Sequence, residues 1–234
     1  MSEDLLDLGA RTLGPLCDDV VFLGGAAICL WITEPAAPAT RATTDVDVIS
    51  AVSTRAGYYA LGERLRERGF SEASESNVIC RWNHKDTGLI LDVMPQEPDV
   101  LGFSNDWYQY ALETSIERVL ASGLTIHAAT PPAIVATKLA AWKGRGAGDL
   151  LRSLDAHDVL ILLDGREALT DELAAARPEL RAYVAKELGG IARHRHFSYL
   201  VESALQGYGE LVRARGELLR SRLDATMARI ASQP

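Results

Sequence analysis

The sequence has no apolar run approaching the ~20 residues that cross a bilayer, and its first residues, MSEDLLDLGARTL, are acidic and amphipathic rather than basic and then apolar. A membrane span and a secretory leader are therefore not expected. Cysteine is scarce: Cys17, Cys29 and Cys80 are an odd number without paired or metal-like spacing, which excludes a disulfide framework. They read as reduced packing residues, and the expected location is the cytoplasm. Repeats and low-complexity tracts are also absent. An excess of positive charge is missing too, since 24 Lys and Arg stand against 32 Asp and Glu for a net charge of −8, which argues against a general nucleic-acid coat. The deficit is uneven, with residues 1–130 carrying −10 and residues 131–234 carrying +2. An RNA partner, if the chain has one, would touch the second half.

What is present divides near residue 130. Leucines at 5, 6, 8, 13 and 16 predict a helix over residues 3–16, and VVFLGG (20–25) predicts a buried strand closed by a tight turn. AAICLWI reads as a short helix, TEPAAPATRATT as a loop, DVDVISAV as a strand and residues 56–69 as a helix ended by Gly69. NVICRWNHKDTGLILDVMP predicts two strands joined by a turn at Lys85–Gly88, and RVLASGLTIHAAT one or two more. From Pro131 the chain is rich in Ala and Leu with helical periodicity. The expected architecture is a mixed α/β core over 1–130 followed by an α-helical domain over 131–234.

Asp45-Val46-Asp47-Val48-Ile49 carries the strongest chemical signal. A strand sends residues i and i+2 to one face, so the two carboxylates stand roughly 6.6 Å apart at the backbone while Val46 and Val48 face away. Adjacent like charges losing hydration call for a compensating cation, and hard oxygen donors suit Mg²⁺ or Mn²⁺. The alternative for this pair alone is a solvated acidic edge. Asp92 sits in the middle of the apolar strand LILDVMP, where an unpaired charge is costly. It completes a three-carboxylate metal site if its strand lies beside DVDV, or else pairs with an arginine such as Arg81.

Gly24-Gly25 falls at a strand-to-helix junction, where absent side chains let a phosphate approach the backbone, although such pairs also serve plain turns. The series Gly24-Gly25-Ala26, Arg41-x-Thr43-x-Asp45-x-Asp47 and a later Asp92 resembles the nucleotidyltransferase superfamily that shares the DNA polymerase beta fold. The likeness is closest to the AbiEii type of bacterial toxin–antitoxin and phage-defence nucleotidyltransferases. That type carries a helical second half with a lysine on a helix and a downstream D-x-x-D, which Lys138 and Asp155-Ala156-His157-Asp158 match. The resemblance covers residues 20–165 and departs in two places: Ala26 stands where many members have Ser or Thr, and the gap from the glycines to Asp45 is long.

By that resemblance the chain is a metal-dependent nucleotidyltransferase with a helical domain closing on its core. Asp45 and Asp47 would hold a metal with the nucleoside triphosphate and share a second with Asp92, the candidate base. Gly24, Gly25, Arg41, Thr43 and Lys138 would bind the nucleotide, with Asp155 orienting Lys138 or a substrate group. The implied acceptor is an RNA or tRNA end or a protein hydroxyl, in a setting that can include an antitoxin protein. Rival readings are a small-molecule transferase of the antibiotic-modifying kind and a catalytically silent nucleotide- or partner-binding module. Outside the resemblance, Lys138 can equally be a solvated or snorkelling helix residue. Trp142, Lys143 and Arg145 are candidates for acceptor binding or an exposed basic loop, and His194 and His196 for metal or RNA contact or a solvated helix face.

Overall fold

The computed structural model describes residues 2–76, 78–144, 150–205 and 210–232. They form two compact units, Met1–Leu30 with Arg41–Ala133, and Trp31–Thr40 with Ile134–Pro234. Arg145 lies outside the described residues.

The first unit is a seven-stranded mixed sheet with helices. Its elements in chain order are α1 (Ser2–Leu13), β1 (Val20–Leu23), α2 (Gly24–Ala27), β2 (Asp45–Ser50), α3 (Arg55–Glu67), β3 (Phe70–Glu72), β4 (Arg81–His84), β5 (Ile90–Pro95), α4 (Pro98–Leu101), α5 (Tyr108–Glu113), β6 (Ile116–Val119) and β7 (Thr125–Ala128). The strands lie in the order β3-β4-β5-β2-β1-β7-β6, with β2–β5 and β1–β7 parallel and the other pairs antiparallel. The apolar runs explain the layering. All four residues of β1 are buried, and Leu6, Leu13, Phe22, Val46, Val48, Leu61, Leu65, Trp82 and Leu91 belong to one core cluster. Thr54 caps α3 by accepting from the Gly57 N–H at 3.1 Å, and Gly69, at φ +88°, turns the chain out of that helix.

One expectation needs correction, and one strand was not expected. The first helix stops at Leu13 and not at residue 16, because Gly14 has φ +56° and Pro15 cannot donate; residues Gly14–Asp19 form a 3₁₀ turn. The strand β3 has no signal of its own in the sequence. Its three residues pair with β4, Phe70 opposite His84 and Glu72 opposite Trp82, so the neighbour makes it a strand.

Every helix and strand of the second unit among the described residues is helical: most of α6 (Pro131–Gly144), then α7 (Leu154–Gly165), α8 (Leu169–Ala174), α9 (Pro178–Ala192), α10 (Phe197–Ala204) and α11 (Glu210–Ala231), with a 3₁₀ turn at Leu150–Arg152. Helix α7 is nearly all buried, as its run VLILL requires, and α8, α10 and α11 pack on it. Residues 31–40, which include most of the loop read at 33–44, belong to this unit. The Thr33 and Glu34 N–H groups both donate to the Gly165 carbonyl, at 2.8 and 3.0 Å, tying the loop to the end of α7. No helix among the described residues is long and apolar enough to cross a membrane.

Candidate functional site

Strand pairing brings the acidic residues of the first unit together. β5 lies parallel to β2 with Asp92 opposite Asp47, and β4 lies antiparallel to β5 with Arg81 opposite Asp92. Directly opposed residues share a face, so Arg81, Asp92 and Asp47 form a row across three strands, and Asp45 stands on the same face two residues along β2. The apolar alternates Val46, Val48, Leu91 and Val93 are buried on the other side.

Arg81 is the hub of this row. Its Nε donates to Asp92 Oδ1 at 2.8 Å and its Nη2 to Asp92 Oδ2 at 2.8 Å, a bidentate grip, while Nη2 also reaches Asp45 Oδ2 at 2.8 Å. Thr43 Oγ1 donates to the other oxygen of Asp45, also at 2.8 Å. The guanidinium holds its proton more firmly than usual, first because of the hydrogen bonds to Asp92, against a burial penalty, with the charges of Asp92, Asp45 and Asp47 adding to the effect. Asp92 is buried, whereas the Arg81 and Asp45 side chains keep 23% and 27% of their surface in solvent. The cluster is thus open on one side, and the Arg81 guanidinium bridges two of its carboxyl groups.

Asp47 leans on the glycine turn. β1 pairs with β2 so that Leu23 is opposite Asp47, and Gly24 follows at φ +74°. A Cβ on Gly24 would lie 1.9 Å from Asp47 Oδ2 and 2.7 Å from Asp47 Cβ, so no side chain fits there. Gly25 and Ala26 are buried immediately beyond. Arg41 is half-buried, and its Nη1 reaches the Ala42 carbonyl at 3.5 Å. The Cys80 thiol, next to Arg81, is pushed up to about 12 by burial, with Asp92 and Asp47 adding, which excludes it as a thiolate nucleophile near neutral pH.

A second acid–cation cluster belongs to the second unit. Lys138 on α6 reaches Asp158 Oδ2 at 2.7 Å and Asp155 Oδ1 at 3.3 Å, both on α7. Ser153 caps α7 by accepting from the Ala156 N–H, and the three-residue spacing then puts both carboxylates on one helix face. All three side chains are buried, with Lys138 at 11% exposure and Asp158 at 1%, so the solvated alternative for Lys138 does not hold. Lys143 pairs with Glu187 at 3.2 Å, and Trp142 is buried. His194 and His196 lie in the turn between α9 and α10 and not on a helix face. The His196 N–H donates to His194 Nδ1 at 3.2 Å, a local contact that shapes the turn.

Two residues of these clusters were not singled out as site residues in the sequence, Arg81 as the hub of the first and Asp158 as the closer partner of Lys138. The hairpin register carried a signal for the first. Counting outward from the Lys85–Gly88 turn pairs Asn83 with Ile90 and therefore Arg81 with Asp92. Asp158 was visible as the last residue of the D-x-x-D.

The residues of the first unit fit a divalent cation in donor chemistry: hard carboxylate oxygens on one face, a glycine where a Cβ would strike one of them, and a guanidinium standing between two others as a cation already does. Among the described residues no group of three His, Cys, Asp or Glu is already gathered in a metal-holding arrangement. No family model and no curated protein matches the chain.

Proposed function

We propose that the first unit is the core of a metal-dependent nucleotidyltransferase that moves a nucleotide from a triphosphate to an acceptor hydroxyl. The observation that carries the reading is the row of Asp45, Asp47 and Asp92 on one sheet face, with the Gly24 backbone against Asp47. The resemblance of these residues to the DNA polymerase beta-like superfamily supplies the reaction.

Bound Mg²⁺ or Mn²⁺ would neutralise triphosphate charge and favour ionisation of the acceptor hydroxyl. Asp45 and Asp47 would hold the cation that accompanies the triphosphate, and Thr43 fixes the rotamer of Asp45 through their hydrogen bond. Asp92 would share in holding the cations and would receive the acceptor's proton as the new O–P bond forms at the α-phosphorus and the bond to pyrophosphate breaks. The Gly24-Gly25 backbone offers phosphate a surface without side chains, which carries more of the binding here because Ala26 has no hydroxyl. Arg41 is assigned to phosphate by the resemblance alone, as are Lys138 with Asp155, the antitoxin partner and the toxin setting.

Four cations of the second unit lend an RNA acceptor no support. Arg166, Arg215, Arg222 and Arg229 each face a carboxylate of that same unit, from Glu172, Asp164, Glu34 and Asp171. A second reading, a catalytically silent nucleotide-binding module, draws on the Arg81 contacts, because a permanent ion pair would account for Asp92 without a metal. Incubation with each labelled nucleoside triphosphate, Mg²⁺ or Mn²⁺, total RNA and small hydroxylated acceptors separates these. Label incorporated into an acceptor and abolished by chelation supports transfer. Nucleotide binding without any incorporation supports the silent module.

A further inference from the structure

We infer that Arg81 is a built-in counter-ion that competes with divalent metal for Asp45 and Asp92, and that binding of a metal–triphosphate shifts its guanidinium onto phosphate. The inference rests on the proposed nucleotidyl-transfer reading and adds to it the order in which the site fills.

The geometry sets up the competition. Three of the four oxygens of Asp45 and Asp92 are engaged by Arg81, Oδ1 and Oδ2 of Asp92 and Oδ2 of Asp45, each at 2.8 Å. A cation drawing these two carboxylates together needs the same oxygens, and it repels a guanidinium left between them. Strand pairing makes the arrangement constitutive, since the β4–β5 register fixes Arg81 opposite Asp92 whatever is bound. The guanidinium nevertheless has a way out, because both Arg81 and Asp45 lie at the solvent side of the row. A long side chain anchored on a strand can rotate from carboxylate to a neighbouring anion without moving the backbone. Metal arriving alone must displace Arg81 into water. Metal arriving with a triphosphate brings the anion that accepts the displaced guanidinium bidentately, so nucleotide and metal promote each other's binding. The same device keeps Asp92 from standing buried and unpaired when no ligand is present.

The test is Mn²⁺ binding to the full chain, followed by electron paramagnetic resonance of the free ion, with and without a non-hydrolysable triphosphate analogue. Parent, Arg81→Ala and Arg81→Gln are compared, each first checked by circular dichroism for a native spectrum. Gln keeps a hydrogen-bonding side chain without the charge and is judged by the same criteria should Ala fail to fold. The expected result is Mn²⁺ binding at least roughly 5-fold tighter in the variants without nucleotide, and a nucleotide-induced gain that is large in the parent and small in the variants. Parent binding that the variants match or fall below overturns the competition and leaves the proposed metal site standing. Absence of Mn²⁺ binding in parent and variants alike, with or without the analogue, overturns both.

Discussion

The two units each contain a cluster of aspartates around one cation, and the clusters differ in the two properties that separate a site from a staple. Around Lys138 the groups are buried, and one ammonium serves two carboxyls across a helix pair. Around Arg81 the guanidinium bridges Asp92 and Asp45 on a face that opens to solvent, with Asp47 on the same face beside a glycine that cannot carry a side chain. A buried, internally paired cluster contributes to stability and specificity of packing whether or not a ligand reaches it. An acidic cluster reached by solvent can exchange its counter-ion without disturbing the core, which is what the proposed cation site requires.

Substitutions sharpen this contrast, and the largest effect on stability belongs to the buried cluster. Lys138→Met removes the ammonium that pairs with two buried carboxyls and should cost about 3–5 kcal/mol, measured by urea unfolding. Loss of less than about 1 kcal/mol would mean the two clusters are not different in kind. Gly24→Ala should come next, at about 1–3 kcal/mol for the positive-φ backbone alone, and it should also weaken nucleotide binding by displacing Asp47. A variant with parent stability and binding would remove the glycine turn from the site.

The effect that is smallest near neutral pH is a pH dependence. Cys80 is raised from 9.0 to about 12 and Tyr58 from 10.0 to about 12, both chiefly by burial. Groups whose values are higher folded than unfolded contribute stability that is complete below the unfolded values and is lost as pH climbs toward the folded ones. Stability should therefore fall between about pH 9 and pH 12, more gently in Cys80→Ala. Urea midpoints at a series of pH values check this, and a midpoint that rises across that interval would contradict the burial assigned to both groups.

Much of the sheet was legible because its strands are apolar runs with punctuation. VVFLGG, DVDVIS and LILDVMP each announce a buried strand, and the single acid in the last already demanded a partner. Both alternatives for that partner have a counterpart in the structure, since β5 lies beside β2 and Arg81 also grips Asp92. What was not legible depends on distant neighbours. The strand β3 exists through β4, and residues 31–40 join the second unit through hydrogen bonds to Gly165, which no local pattern encodes. Lys138 was visible as a lysine on a helix. Its burial was not, because an apolar helix such as PPAIVATKLAAW does not say which of its residues the next helix will cover.

The central claim is that the open row of aspartates does chemistry, and Asp92→Asn tests it most directly, with label transfer and nucleotide affinity measured on the same preparation. Asparagine keeps the shape of the side chain and removes both its charge and its capacity to take a proton. The account predicts a fall in transfer of at least roughly 100-fold, as for loss of a general base, with affinity for the metal–triphosphate changed only a few-fold. Transfer at near-parent rates would contradict it.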